Sequence, residues 1–353
     1  MSDEALTGRP RAVVFGCAGE RLTPDERRFF AEADPLGFVL FRRNCVNPEQ
    51  VRSLVAEFRA SVGREDAPVL IDQEGGRVAR LRPPHWRAYP AAAEIAALPD
   101  PLAEEAAQLG ARLIAEDLWN VGVTVDAMPV LDLPEADADP VIGDRAYGSE
   151  PAPVARLGRA VCEGLLAGGV LPIVKHIPGH GRARVDSHKA LPRVEADRAE
   201  LARWDFTPFR ALAEMPWAMT AHIVYAAIDN TAPATLSRRV IDEVIRREIG
   251  FDGVLVSDDI SMGALSGSLA ERVRRSLEAG CDVALHCNGV FDEMVEIAAA
   301  IPPLTETAQV RIARAEGLRR RSRREFDAEA IAARFFALVG GAAHAGADPT
   351  SRA

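Results

Sequence analysis

GVLVSDDISM, residues 253–262, begins with a short apolar run and continues into two neighbouring carboxylates, Asp258 and Asp259. The run has no polar side chain before Ser257, so both faces of the strand that it predicts would be buried, as in a parallel sheet. A helix-like segment follows at residues 269–278. The stretch therefore predicts one strand–helix unit of a parallel sheet, with acidic side chains where the strand ends.

The same unit recurs along the chain. Eight short apolar runs lie at residues 12–17, 37–41, 69–71, 123–126, 172–176, 217–222, 253–257 and 282–287. Helix-like segments lie between and after them, at residues 23–33, 48–59, 101–119, 152–167, 198–213, 238–248, 269–278, 292–300, 306–321 and 328–338. Eight alternating units predict an α/β fold, a single (β/α)8 TIM barrel. An open, doubly wound sheet is the alternative.

The length of 353 residues suits one barrel better than several small domains. We expect a barrel that carries the catalytic site over residues 1–339. Residues 340–353 are mostly small and polar, and they predict a disordered C-terminal tail.

Composition narrows the range of partners. Hydrophobic residues make up 48% of the chain, enough for a sizeable core, and the formal net charge is -10. An acidic surface repels phosphate groups, which argues against general binding to nucleic acid or to anionic membranes. The sequence contains no apolar run long enough to span a bilayer. The first residues lack a basic region followed by an apolar stretch, so we expect no signal peptide.

The cysteines are odd in number and match no zinc-binding spacing: Cys17, Cys45, Cys162, Cys281 and Cys287. This pattern is typical of reduced thiols, most of them buried in the core. We therefore expect a cytoplasmic protein.

Polar side chains mark the ends of six predicted strands. They are Asp72, Asp126, Lys175, His176, His222, Asp258, Asp259, His286 and Asn288. In a barrel the carboxyl ends of the strands converge on one face, where active sites are built. One such residue alone often only faces water. Six strand ends together predict a functional site on this face.

The segment KHIPGHGRARVDSH, residues 175–188, contains Gly179 and Gly181, which favour an irregular loop. Near its end, Asp186 and His188 lie two positions apart and would share one side of an extended backbone. The carboxylate can then bind one imidazole nitrogen and favour the protonated ring. Such a pair suits a general acid/base, although similar pairs are common on exposed loops.

Asp258 lies at the end of an apolar strand, where nearby cations would keep it ionised. A rigidly held carboxylate can attack the anomeric carbon of a sugar. Asp259 has the opposite side-chain direction, so we expect it to support a neighbouring loop or helix.

A series of motifs covers nearly the whole chain: LGFVLFRRN (36–44), IDQEGGRVARL (71–81), DAMPVLDL (126–133), IGDRAYG (142–148), KHIPGHG (175–181), DSH (186–188), MTAHIVY (219–225), PATLS (233–237) and SDDISM (257–262). In this order they resemble the glycoside hydrolase family 3 β-N-acetylglucosaminidases of bacterial peptidoglycan recycling. Residues 182–185, RARV, differ from the smaller or acidic residues of many such enzymes.

The resemblance implies a role for individual residues. It implies a nucleophile at Asp258 and a general acid/base at His188, partnered by Asp186. It also implies a set of residues that hold sugar hydroxyls, namely Asp72, Arg80, Arg145, Lys175 and His176.

The resemblance further implies a (β/α)8 barrel that needs no metal and no organic cofactor. Its substrate would be a muropeptide, in which N-acetylglucosamine is linked β-1,4 to (anhydro)-N-acetylmuramic acid, or a chitobiose-like molecule. We expect no nucleic-acid or membrane partner, and we expect a monomer.

Four other functions remain open. A family 3 β-glucosidase or β-xylosidase usually takes its acid/base from a second domain, which nothing after Phe336 could supply. A metal-dependent hydrolase could use His180, Asp186 and His188 as ligands. A non-catalytic muropeptide sensor should have lost Asp258 or the DSH motif. A phosphorylase would use phosphate in place of water.

Overall fold

The computed structural model describes residues 9–340, and each of the eight apolar runs overlaps one strand of a barrel. The strands are β1 Arg11–Phe15, β2 Pro35–Leu40, β3 Val69–Ile71, β4 Val125–Asp126, β5 Leu171–Ile177, β6 Trp217–Thr220, β7 Val254–Asp259 and β8 Val283–His286. Their hydrophobic side chains are buried, as expected for a parallel sheet covered on both faces.

The sheet closes on itself in the order β1-β8-β7-β6-β5-β4-β3-β2. Strand β1 pairs in parallel with β2 and also with β8, where Val13 lies opposite Ala284. Closure excludes the open, doubly wound sheet. The prediction of a (β/α)8 barrel is confirmed.

Helices surround the barrel: α1 Pro24–Ala33, α2 Pro48–Val62, α3 Ala92–Ala96, α4 Leu102–Trp119, α5 Pro151–Gly168, α6 Arg198–Arg203, α7 Phe206–Ala211, α8 Val240–Glu248, α9 Leu269–Ala279, α10 Phe291–Ala300, α11 Glu306–Ser322 and α12 Ala328–Val339. Helix α8 has π-helical geometry. Within residues 9–340, none of the helices combines the length and the apolar character needed to cross a membrane.

Helix α1 begins where the sequence predicts. The Oγ1 atom of Thr23 accepts a hydrogen bond from the backbone N–H of Glu26 at 3.1 Å. Glu26 Oε2 accepts one from the N–H of Thr23 at 2.7 Å. Pro24 occupies the first turn of the helix, where a backbone N–H would have no hydrogen-bond partner within the helix. Two otherwise unpaired backbone donors are thus satisfied.

The prediction of a single helix over residues 198–213 is wrong, because this segment forms two helices, α6 and α7. Pro208 lacks a backbone N–H and is tolerated best in a first turn. It lies in the first turn of α7. A break before Phe206 therefore accommodates the proline.

Helix α12 packs against the side of the barrel, on α4. The ring of Phe335 is fully buried there against Gly110. A Cβ atom at Gly110 would lie 2.7 Å from this ring, so only glycine allows the approach. The predicted tail, residues 340–353, lies outside the described residues except for Gly340.

Candidate active site

A pocket of about 600 Å³ opens at the carboxyl ends of the strands. Side chains from β2, β3, β5, β6, β7 and β8 line it, together with loop residues after β4 and β5. Six of the eight predicted site residues line it, namely Asp72, Arg145, Lys175, His176, His188 and Asp258. Four of these six, Asp72, Lys175, His176 and Asp258, belong to the predicted strand ends, whereas Arg145 and His188 lie on loops.

The other two predicted residues lie directly behind the pocket. Arg80 is 0% exposed, and its Nη2 donates to Asp72 Oδ2 at 2.8 Å. Asp186 contacts His188. Arg80 and Asp186 therefore each contact a residue that lines the pocket.

One wall of the pocket is a row of alternating charges. Lys175 Nζ lies 2.9 Å from Asp72 Oδ1 and 2.7 Å from Glu74 Oε1. Arg145 donates from Nε and Nη2 to the two oxygens of Glu74, at 2.9 and 2.8 Å. This bidentate geometry holds the guanidinium plane in one orientation. Asp72, Lys175 and Arg145 of this row line the pocket and present polar atoms in fixed positions.

Both carboxylates of this row lie beside cations, Glu74 buried and Asp72 half-buried. Burial alone would raise the pKa of Glu74, but Arg145 and Lys175 outweigh it and lower the pKa to about 2. Burial likewise opposes ionisation of Asp72, and Lys175 and Arg80 hold its pKa well below the usual range. Sequence analysis did not single out Glu74, although it lies in the quoted IDQEGGRVARL motif.

Replacing Glu74 with glutamine is expected to lower the free energy of unfolding at pH 7 by about 3 kcal/mol, because a buried ion pair loses one partner. The folded pKa of Glu74 lies below its unfolded value. Its contribution is therefore present above about pH 4.5 and is lost as the pH falls towards 2. Urea denaturation at pH 7 and pH 3 should show a difference between wild type and variant that shrinks in acid.

Glu105→Gln is the matched control, because Glu105 forms an exposed ion pair with Arg334. Exposed pairs contribute little, so this variant should change stability much less. A Glu74→Gln effect that is no larger than that of the control, or that grows in acid, would contradict the prediction.

His176 is oriented by Asp132, a fully buried carboxylate. Asp132 Oδ2 lies 2.6 Å from His176 Nδ1, and Asp132 Oδ1 accepts the backbone N–H of His176 at 3.1 Å. With Nδ1 occupied, the ring can act on a ligand only through Nε2. Asp132 lies in the quoted DAMPVLDL motif, but sequence analysis did not single it out.

Asp258 lies at the end of β7, and its Oδ1 accepts the N–H of Asp259 at 2.8 Å. Burial favours the neutral acid, but His222, His176, His188 and this hydrogen bond lower the pKa of Asp258 below its usual value. The group is thus a half-buried carboxylate whose surroundings favour the ionised form. This is the state that a nucleophile requires.

The side chain of Asp259 points away from that of Asp258 and supports the following loop, as the sequence predicted. Its Oδ1 accepts the N–H of Ser261 at 3.0 Å, and its Oδ2 accepts the Ser261 hydroxyl at 2.6 Å. Its Oδ1 also accepts the N–H of Cys287 at 3.3 Å. It therefore ties the ends of β7 and β8 together.

Asp186 and His188 form the predicted pair, but in a turn rather than in an extended backbone, since Asp186 O accepts the N–H of Lys189 at 2.9 Å. Asp186 Oδ1 lies 2.7 Å from His188 Nδ1 and accepts the His188 N–H at 2.9 Å. Burial opposes ionisation of Asp186, but these hydrogen bonds lower its pKa. Because the carboxylate accepts Nδ1–H, His188 can exchange a proton only through Nε2. The ring lines the pocket, and its side chain is 27% exposed.

The proposed metal ligands His180, Asp186 and His188 are engaged with other side chains. His180 Nε2 lies 3.0 Å from Ser187 Oγ, and His188 Nδ1 contacts Asp186. In the part of the chain from residue 9 to residue 340, no cluster of three or more His, Cys, Asp or Glu side chains is arranged to hold a metal ion.

In enzymes of the (β/α)8 fold the active site lies at the carboxyl ends of the strands, which is where this pocket and its charged side chains are found. The sequence model described as the glycosyl hydrolase family 3 N-terminal domain matches residues 22–317. The chain belongs to glycosyl hydrolase family 3.

Individual relatives agree. The β-hexosaminidase of Alkalilimnicola ehrlichii is 41% identical over 283 residues, which cover 78% of this chain and 80% of that one. The β-hexosaminidase of Pseudomonas aeruginosa PAO1 is 38% identical over 309 residues, covering 87% and 91%. The structure of NagZ from Neisseria gonorrhoeae with N-trifluoroacetyl-D-glucosamine gives a TM-score of 0.81 at 34% identity, covering 95% and 97%. The chain is a glycoside hydrolase that acts on N-acetylhexosamine, as predicted.

Proposed function

We propose that this enzyme is a retaining β-N-acetylglucosaminidase that cleaves through a covalent glycosyl-enzyme on Asp258, with His188 as acid and then base. The observation that carries the proposal is the presence of both side chains in one pocket, with His188 held by Asp186 at 2.7 Å. The low pKa of Asp258 supports its role as nucleophile.

In the first step His188 Nε2–H protonates the leaving oxygen, the glycosidic bond breaks, and an Asp258 oxygen bonds to the anomeric carbon. In the second step neutral His188 removes a proton from water, which attacks the same carbon and releases Asp258. Two inversions retain the β configuration. Asp186 stabilises the imidazolium that exists before the first transfer and after the second.

Most glycosidases use two carboxylates, whereas the acid proposed here is an imidazole. Once His188 has given up its proton it is neutral, so the glycosyl-enzyme holds an uncharged imidazole where an enzyme with two carboxylates holds an anion. Because this imidazole is neutral, a phosphate anion could also approach and accept the sugar in place of water. Phosphorolysis is therefore the second candidate reaction, and comparing turnover with and without inorganic phosphate separates the two.

The proposed substrate is a muropeptide in which N-acetylglucosamine is linked β-1,4 to (anhydro)-N-acetylmuramic acid, processed during cell-wall recycling. The bacterial relatives support the sugar class, since the gonococcal structure holds an N-acylated glucosamine. We also propose a cytoplasmic location. All five cysteines are buried and free, which suits a reducing compartment.

The enzyme is expected to cleave a β-N-acetylglucosaminide roughly 10- to 100-fold faster than the matching β-glucoside. A hydrogen bond between the substrate and a charged group is worth about 1.5–3 kcal/mol, and the charge row offers several such groups. Initial rates on the two nitrophenyl glycosides test this. Equal rates would contradict the proposed specificity.

A further inference from the structure

We propose that His180 and Ser187 form a latch that positions the Asp186–His188 pair for proton transfer. His180 Nε2 lies 3.0 Å from Ser187 Oγ, and both residues are buried. The two are positioning residues, because they act on the proposed acid/base through the backbone. The inference rests on the proposed role of His188.

The hydrogen bond joins the beginning of the loop after β5 to its functional end. His180 lies in the KHIPGHG motif that leaves β5, and Ser187 lies between Asp186 and His188. The two partners lie seven positions apart in sequence. This one side-chain contact therefore joins the two ends of the loop next to His188, the residue that would transfer the proton.

The His180 end of this contact is fixed by the same carboxylate that orients the pocket. Asp132 Oδ1 accepts the backbone N–H of His180 at 2.6 Å, while Asp132 Oδ2 holds His176 at 2.6 Å. A chain of hydrogen bonds thus runs from His176 through Asp132 and His180 to Ser187. The position of the proposed acid is tied to the wall that would hold the sugar.

His180 is suited to a structural hydrogen bond rather than to proton transfer. Burial, with a further contribution from His176, lowers the pKa of His180 to about 4, so the ring is neutral at neutral pH. Its Nδ1 is buried without a hydrogen-bond partner. Because an unpaired buried N–H is rarer than an unpaired acceptor, we assign the hydrogen to Nε2, which donates to Ser187.

The backbone of the DSH segment is held from the other side by the loop after β7. Ser187 O accepts the N–H of Ala264 at 3.1 Å, and His188 O accepts the N–H of Gly263 at 3.2 Å. A Cβ atom at Gly263 would lie 2.8 Å from His188 O, so a side chain there would disturb this contact. These two bonds would remain if the side-chain latch were removed.

Removing the latch should therefore impair one step selectively. The imidazole of His188 would sample more orientations, and misplacement of a catalytic group lowers the rate of the step that uses it. Protonation of a sugar alkoxide depends on that orientation. Expulsion of dinitrophenolate does not, because this anion leaves without a proton.

The test uses Ser187→Ala, with Ser61→Ala as the matched control, since Ser61 bonds only within α2. For a disaccharide, kcat/KM of Ser187→Ala should fall about fivefold, the loss expected for one neutral hydrogen bond. For a dinitrophenyl glycoside, formation of the glycosyl-enzyme should change less than about twofold. The control should match wild type on both substrates.

His180→Ala provides the second arm and should give the same selective loss, while His180→Gln, which keeps a donor amide, should recover part of it. The double variant should be no worse than either alanine variant, because the pair acts as one unit. Equal loss on both substrates, or no loss on either, would overturn the latch. If His188→Ala itself shows no dependence on the leaving group, the proposed function fails instead.

Discussion

Asp258→Ala is expected to lower turnover of a β-N-acetylglucosaminide on the order of 10⁴-fold or more while sugar binding persists. The carboxylate would form the bond that splits the reaction into two easier steps, and losing a nucleophile removes that route. The charge row of Asp72, Lys175, Glu74 and Arg145 remains in the variant. Single-turnover kinetics, with equilibrium titration of N-acetylglucosamine, measure the two effects separately.

Asp252→Ala is the control, because this exposed aspartate lies just before the opposite end of the same strand and bonds Arg311 and Arg314. It should turn over substrate at nearly the wild-type rate. In the wild-type enzyme a 5-fluoro glycoside should label one peptide, the one that contains Asp258, as read by mass spectrometry. Label on another carboxylate, or undiminished turnover by Asp258→Ala, would show that the nucleophile lies elsewhere.

His188→Ala is expected to slow cleavage of a disaccharide by about 10²- to 10⁴-fold, the usual range for a general acid. Formation of the glycosyl-enzyme from a dinitrophenyl glycoside should be affected far less. The second step would then lack its base, and azide should partly restore it by attacking the anomeric carbon without deprotonation. Pre-steady-state rates with the two leaving groups provide the measurement.

His85→Ala is the matched control, because His85 is exposed and does not line the pocket. It should leave both rates close to those of the wild type. Equal losses on all leaving groups, or a first product with the α configuration, would be incompatible with the proposed mechanism.

The barrel and its pocket could be predicted because both follow from local patterns. Each apolar run is short and continuous, which specifies a buried strand, and strand ends meet on one face whatever the loops do. The Asp–His pair was predicted from an extended backbone, but it is a turn, with the N–H of Lys189 bonded to Asp186 O, that brings the two side chains together.

The residues missed by the sequence analysis are those whose importance depends on distant partners. Glu74 is important because the loop after β4 brings Arg145 to it. Asp132 is important because β5 places His176 against it. Conversely, Asp126 ends a strand but is fully buried, where its Oδ1 accepts the N–H of Gln73. His286 and Asn288 bind Glu293 rather than the pocket. Periodicity does not encode such pairings.

The proposed nucleophile belongs to a barrel strand, whereas the proposed acid belongs to a loop. Strand β7 is hydrogen-bonded to a neighbouring strand on both sides, so the backbone that carries Asp258 has little room to change. The loop that carries His188 can change more freely, since surface connections tolerate replacement and insertion. For enzyme engineering, the exposed loop residues Arg184 and Val185 are therefore positions at which the preference for leaving groups could be altered. A transition-state mimic that fills only the sugar subsite would keep its affinity for the retuned enzymes.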